Sequence, residues 1–180
     1  MCAPASVAPP RRTQLRALLI LALPIMASSL LSFLMSLVDL WMVGHLGTHE
    51  LAAAGLGNTF FNTLQHPVVG AATALDTLLS QSYGAAKLDA YGNWAQTGLV
   101  LLLLLSVPFV TLLALAEPIL RAIRTEAQLA ASAGLFCRNL IPGVPPFLAF
   151  LCLTKYLQAQ NITWPAVAVA LVANFVNAAA

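Results

Sequence analysis

Ser28, Ser32, Ser36 and Asp39 recur at helical spacing in the run "ASSLLSFLMSLVDLWMVGH". At 100° per residue they fall within an arc of about 80°, so a helix here carries a stripe of hydroxyls ending in a carboxylate. An apolar setting drives a carboxylate toward its neutral form, and a nearby cation opposes that. A group balanced between the two can load and release a proton or a small cation. Asp39 lies about a turn and a half before Gly44, close enough to a helix end to be hydrated and idle. Its place at the end of a polar stripe favours the functional role.

A second polar ridge follows. Asn58, Asn62, Gln65, Thr73 and Asp76 share a face of about 80° if the helical phase survives Pro67. Asp76 precedes the turn "YGAAKLDA", where water or Lys87 can reach it, so it is better explained as an anchor for that helix end. Asn174 and Asn177 are three apart and share a face. Hydrogen bonds between helices rank ahead of ligand binding for this pair, yet both remain candidates for a polar cavity.

Other chemistry is weaker. His45 and His49 are four apart with Glu50 beside them, but Gly47 interrupts the helix between them, and no metal site is assigned. An aspartyl hydrolase would need Asp39 and Asp76 to share a proton, and the topology below puts them toward opposite ends. No residue is therefore assigned a catalytic role, and the chain is not expected to be an enzyme. Cys2, Cys137 and Cys152 form no Cys-x-x-Cys pair and indicate free thiols.

The elements that must carry these residues are long and apolar. Of 180 residues, 60% are hydrophobic and 8% charged, against about 25% charged in an ordinary globular chain. Residues 17–38, 51–75, 90–116 and 156–180 contain no Asp, Glu, Lys or Arg. Each exceeds the roughly 20 residues that a spanning helix needs. Residues 127–154 form a further candidate, interrupted by Arg138 and by Pro142, Pro145 and Pro146, and are expected to be broken or kinked.

The fold class is thus all-α, a polytopic membrane helix bundle of about five spans near residues 16–44, 50–84, 89–117, 126–158 and 163–180. Thr125 with Gln128 fits a capping box for the fourth span, and Thr163 with Pro165 fits the start of the fifth.

Short cytoplasmic loops hold the excess of Lys and Arg. With the N-terminus inside, Arg11, Arg12, Arg16, Lys87 and Lys155 are inner, and Arg121 and Arg124 are outer. That places the N-terminus in the cytoplasm, with residues 1–12 as a disordered tail and 13–180 as the membrane part. The apolar run after "RRTQLR" is too long for a signal peptide's core. The net charge of +2 is a topology signal, and nothing indicates nucleic acid as a partner.

The segments "MVGHLGTHELAAAGLG" (42–57), "GAATALDTLLSQSYGA" (70–85), "LIPGVPPF" (140–147) and "KYLQAQNITWP" (155–165) together resemble the multidrug and toxic compound extrusion (MATE) family. The resemblance implies a secondary transporter of twelve helices in two six-helix lobes, alternating between outward-facing and inward-facing states. It implies export of organic cations, drugs or metabolites against entering protons or sodium ions, with no other cofactor.

Asp39 resembles the first-helix Asp to which cation coupling is assigned in bacterial and archaeal members. Many eukaryotic members instead use a Glu in the second lobe. Asn177 resembles a fifth-helix Asn near that Asp, in a pattern that continues with an Asp four residues later. The cation-coupling or substrate cavity is accordingly expected at Asp39, Ser36, Ser32, Asn58, Asn62, Asn174 and Asn177.

The resemblance makes this chain the N-terminal part of such an antiporter, most of one lobe. Membrane lipid, a small-molecule substrate and the remainder of the transporter are its partners, in a plasma or organelle membrane. The alternative is a truncated membrane fragment that does not transport and is inert or associates with a full-length relative.

Overall fold

The computed structural model describes the backbone of residues 11–179, and the side chains of residues 18–177 except that of residue 21. The described residues form seven α-helices: α1 (Arg11–Gly44), α2 (Thr48–Gly84), α3 (Leu88–Ala114), α4 (Ala116–Ala122), α5 (Ala127–Leu140), α6 (Val144–Ala159) and α7 (Trp164–Ala179). A single 3₁₀ turn, Ile141–Gly143, joins α5 to α6. The fold is the all-α membrane bundle that the uncharged runs require. Residues 1–10 of the expected tail lie outside the described residues, while Arg11 and Arg12 belong to α1.

Leu18–Gly44, Leu88–Ala114 and Ala127–Ala159 are long and apolar enough to cross a membrane. α2 has 37 residues, about 55 Å at 1.5 Å per residue, and its amides and His66 make it more polar than those three. The prolines bend the chain less than a full break would. Pro142 sits in the 3₁₀ turn, and Pro145 and Pro146 fall in the first turn of α6, where a missing N–H costs no helical hydrogen bond. α2 stays one helix through Pro67.

Three helix ends close by the same device. After α2, α4 and α6 the chain takes a left-handed residue, Ala86, Arg124 and Asn161 respectively. Backbone hydrogen bonds wrap each end, as from Lys87 N–H to Ser82 O and from Thr125 N–H to Leu120 O. This satisfies carbonyls that would otherwise be orphaned. It also corrects the capping-box expectation at Thr125. That residue is consumed by the α4 turn, α5 begins two residues later with Glu126 before it, and no side chain caps it. α7 begins at Trp164 with Pro165 in its first turn, as Thr163 and Pro165 suggest.

The chain divides into two compact units. The first contains the described residues of α1 through Met35 together with α7. Within it, Asn174 donates from Nδ2 to Leu31 O at 3.0 Å and to Ala170 O at 2.8 Å, tying α7 to α1.

The second unit, residues 36–162, holds the core. Val68, Ala72, Leu75 and Leu79 of α2 pack with Leu102, Phe109 and Leu113 of α3 and with Val144, Leu148 and Cys152 of α6. Spacings of three, four and seven put each set on one helical face. Lipid tails are as apolar as leucine, so close packing rather than water exclusion must hold such helices together.

Small residues supply that closeness. Ala53 and Gly57 of α2 are buried, as are Ala130, Ala133 and Gly134 of α5. Arg138, a charge in the middle of a span, is met by Glu117 at 3.5 Å and donates from Nε to Ala114 O at 3.4 Å. Glu117 also pairs with Arg121 at 2.8 Å.

Gly134 is the tightest of these approaches for which backbone is the obstacle. A Cβ there would stand 2.6 Å from Glu117 Cβ and 3.1 Å from its Cα. Gly134→Ala is expected to force α4 and α5 apart and lower stability by about 1–3 kcal/mol, read as a lower unfolding temperature in detergent. An unchanged midpoint would mean that the two helices do not lie this close.

Candidate functional site

The turn from α1 to α2 runs through Gly44 to Gly47, where Gly47 adopts φ 131°, a conformation that side-chain-bearing residues avoid. This reversal turns the chain from α1 into α2. A cavity of about 120 Å³ lies between them. Ser36, Asp39 and Val43 of α1, Gly55 and Asn58 of α2, and Phe136 of α5 line it. Three of the sequence candidates, Ser36, Asp39 and Asn58, therefore share one space.

Asn62 extends the polar wall. Its Nδ2 donates to Asn58 Oδ1 at 3.3 Å, one turn along α2, which orients the Asn58 amide. His66 then bonds through Nδ1 to Asn62 O. The ridge therefore continues as a chain of contacts along α2.

The remaining candidates lie elsewhere. Ser28 donates to Ile25 O at 2.9 Å and Ser32 to Ser28 O at 3.0 Å, so both hydroxyls bond back onto their own helix. Asn174 makes the α1–α7 bond described above. Asn177 lines a separate, largely apolar hollow with Met35, Val172 and Val176.

Asp76 finds a partner the sequence did not suggest. Lys155 Nζ of α6 donates to its Oδ2 at 2.7 Å; the expected partner was water or Lys87. The reason is packing: α2 and α6 share the core through Leu75, Leu79, Leu148 and Cys152, and Lys155 stands three residues beyond Cys152 as Asp76 stands one beyond Leu75. Nearby, Tyr91 donates through its hydroxyl to Tyr156 O, and Gln160 Nε2 donates to the same hydroxyl at 3.1 Å. This polar cluster fastens α3 to α6.

The two histidines turn to different neighbours. His45 bonds through Nδ1 to Trp41 O at 2.9 Å, and His49 Nε2 lies 3.4 Å from Ser132 Oγ on α5. Among the described residues no group of three or more His, Cys, Asp or Glu is placed to hold a metal ion.

Sequence reasoning missed Phe136 and the Asp76–Lys155 pair. Phe136 has no polar periodicity to announce it, and Lys155 read only as a topology charge.

The MatE family model matches residues 24–180. The chain belongs to the MatE family. It is 36% identical over 168 residues to multidrug and toxin extrusion protein 1 of Danio rerio, covering 93% of this chain and 28% of that protein. It is 33% identical over 146 residues to protein DETOXIFICATION 17 of Arabidopsis thaliana, covering 81% of this chain and 31% of that protein. The crystal structure of the eukaryotic MATE transporter AtDTX14 superposes with a TM-score of 0.86 at 28% identity, over 91% of this chain and 37% of that one. The chain thus spans about three-tenths of the curated relatives' length.

Members of this family are transporters, and with its apolar helices this MatE chain is a multi-pass integral membrane protein. The Asp76–Lys155 pair falls within the matched segment. Lys155→Met should leave the Asp76 charge without its partner and destabilise the fold by about 0.5–1 kcal/mol, since the Asp76 side chain is 43% exposed. Asp76→Asn combined with Lys155→Met should recover part of that loss. Denaturation of the four proteins in detergent measures the coupling, and additive losses would mean that the pair does not interact.

Proposed function

We propose that this chain works as the N-terminal part of a secondary active antiporter that exports organic cations, drugs or metabolites in exchange for protons or sodium ions. Family membership supports transport, and the Asp39 cavity supports cation exchange. An ionisable side chain in a span is costly unless it meets a cavity or a partner, and Asp39 lines a cavity with a hydroxyl and an amide. That shared space is the observation that carries the proposal.

In this account Asp39 takes up the coupling ion. Ser36, Asn58 and Asn62 shape the polar wall, and Ser32, Asn174 and Asn177 belong to the same transport path in the assembled protein. Binding of the ion must favour one conformation over the other, because a ligand shifts an equilibrium only by its differential affinity. The N-terminus faces the cytoplasm, as the Lys and Arg distribution favours, in a plasma or organelle membrane. The rest of the transporter, comparable to the length that the relatives possess beyond the matched segment, supplies the second lobe.

A second reading is that the chain acts without transporting, either inert or bound to a full-length relative. The exposed apolar side chains of α7, with Phe175 76% exposed, would suit packing against such a relative. Co-purification and liposome assays separate the two: transport by the purified chain alone excludes the inert fragment.

Within the whole transporter, Asp39→Asn should abolish cation-driven efflux, by at least about tenfold if loss of the charge costs 1.4 kcal/mol or more, with expression unchanged. Efflux at the wild-type rate would remove Asp39 from the mechanism.

A further inference from the structure

We infer that helices α2 to α6 bend as two blocks about one level of the bundle, marked by Pro67, Pro108 and the 3₁₀ turn Ile141–Gly143. The bending goes beyond the transport reading above, and only its use in transport rests on that reading.

Three breaks in helical regularity fall together. Pro67 and Pro108 lie inside α2 and α3, and each withdraws the N–H that a carbonyl four residues earlier, Thr63 O or Leu104 O, would accept. The third break is the 3₁₀ turn between α5 and α6, which holds Pro142. The residue after each break, Val68, Phe109 and Val144 in turn, is buried in one core cluster, and Ile141 of the turn packs against it. The breaks therefore share one level of the bundle. Sharp bends in helices concentrate at such sites.

A void lies at the same level. Leu64, Pro67 and Ala71 of α2 and Leu105, Pro108 and Leu112 of α3 line about 270 Å³ of it, whereas packed interiors leave few spaces larger than a water molecule. It gives α2 and α3 room to change their angle without a clash.

The fastenings between helices divide there as well. On one side, α2 before Pro67 and α3 after Pro108 are tied to each other, to α4 and to α5. The Phe61 and Phe109 rings meet at 5.4 Å, Cys137 Sγ donates to Gly57 O at 3.6 Å, and Arg138 pairs with Glu117. On the other side, α2 after Pro67, α3 before Pro108 and α6 are tied together. Lys155 pairs with Asp76, Cys152 Sγ donates to Ala95 O at 3.5 Å, and Gln160 bonds to Tyr91. Gly98 lies so close to α2 that a Cβ there would stand 2.4 Å from Leu75 Cδ2. Among the described residues, no hydrogen bond, ion pair or ring contact between helices α2 to α6 crosses the level. Apolar contact alone crosses it, and that force has no fixed direction.

A bend of about 20°, the scale of a helix kink, swings the far end of the 14-residue α5 by about 7 Å. Asn58 and Asn62 travel with that block, while Asp76 and Lys155 stay with the other.

Double electron–electron resonance on the whole chain in lipid nanodiscs tests this, with spin labels carried on non-canonical amino acids so that the native cysteines remain. Circular dichroism checks the fold of each variant. Labels at the exposed positions Leu115 and Gln128 lie in one block, and labels at Val100 and Leu153 lie in the other. Each of these pairs should give a narrow distance distribution, and the pair Gln128 and Leu153, across the level, should be broader by about 7 Å. Ala71→Leu fills the void and should narrow that spread to the width found within a block. Pro108→Ala, which restores a helical hydrogen bond, should narrow it too.

The inference is overturned if the pair across the level is as narrow as the others in the unaltered chain, or if all three are equally broad. It is also overturned if Pro108→Ala leaves the spread unchanged in a folded chain, an outcome that does not depend on whether Ala71→Leu folds. No substrate enters these distances, so they stand or fall apart from the transport reading. In the whole transporter Ala71→Leu should slow efflux. Efflux at the wild-type rate would remove the bending from transport and leave Asp39 to its own test.

Discussion

An acid at the end of a lipid-length apolar helix must find water or polar partners, and that cost organises the α1–α2 end of the chain. Asp39 follows an uncharged run of residues 17–38, and placing a carboxylate at the bilayer centre costs about 2.5–3.5 kcal/mol on insertion scales. The chain reverses at Gly44–Gly47, and Asn58 of α2, its amide held by Asn62, lines the same cavity as Asp39. The result is a small polar space built from two helices that are otherwise apolar.

Holding that space open depends on packing that lipid does not drive. Without a hydrophobic force between helices, close contact has to come from shape. α2 and α5 meet through Ala53, Gly57, Ala130 and Ala133, and α4 meets α5 at Gly134. At the other end of α2 the Asp76–Lys155 ion pair joins α6, and the Tyr91–Gln160 contact joins α3 to α6. The seam of small residues and the polar clasp thus grip one long helix at its two ends, with the apolar core of α2, α3 and α6 between them.

The helices themselves were legible in the sequence, because charge avoidance is a one-dimensional signal. The run expected at residues 50–84 forms Thr48–Gly84, and the proline-rich segment bends through a 3₁₀ turn. The grouping of Ser36, Asp39 and Asn58 was legible as part of a wider expected cavity, since helical spacing placed each on a polar ridge, but spacing did not single these three out from Ser32, Asn62, Asn174 and Asn177. What escaped was set by contacts between distant residues. Lys155 lies 79 positions from Asp76, and only the fold brings Phe136 to the cavity that Asp39 and Asn58 line. Thr125 escaped for a local reason, since the left-handed turn at Arg124 took the residue that would have capped α5.

The most direct measurement is the environment of position 39. A spin label there, compared with one at Leu104 of α3, which is 63% exposed, reports collisions with a water-soluble nickel chelate and with lipid-soluble oxygen. The account predicts that position 39 collides chiefly with the chelate and position 104 chiefly with oxygen. Oxygen-dominated relaxation at both positions would mean that Asp39 faces acyl chains, and the cation cavity would not exist.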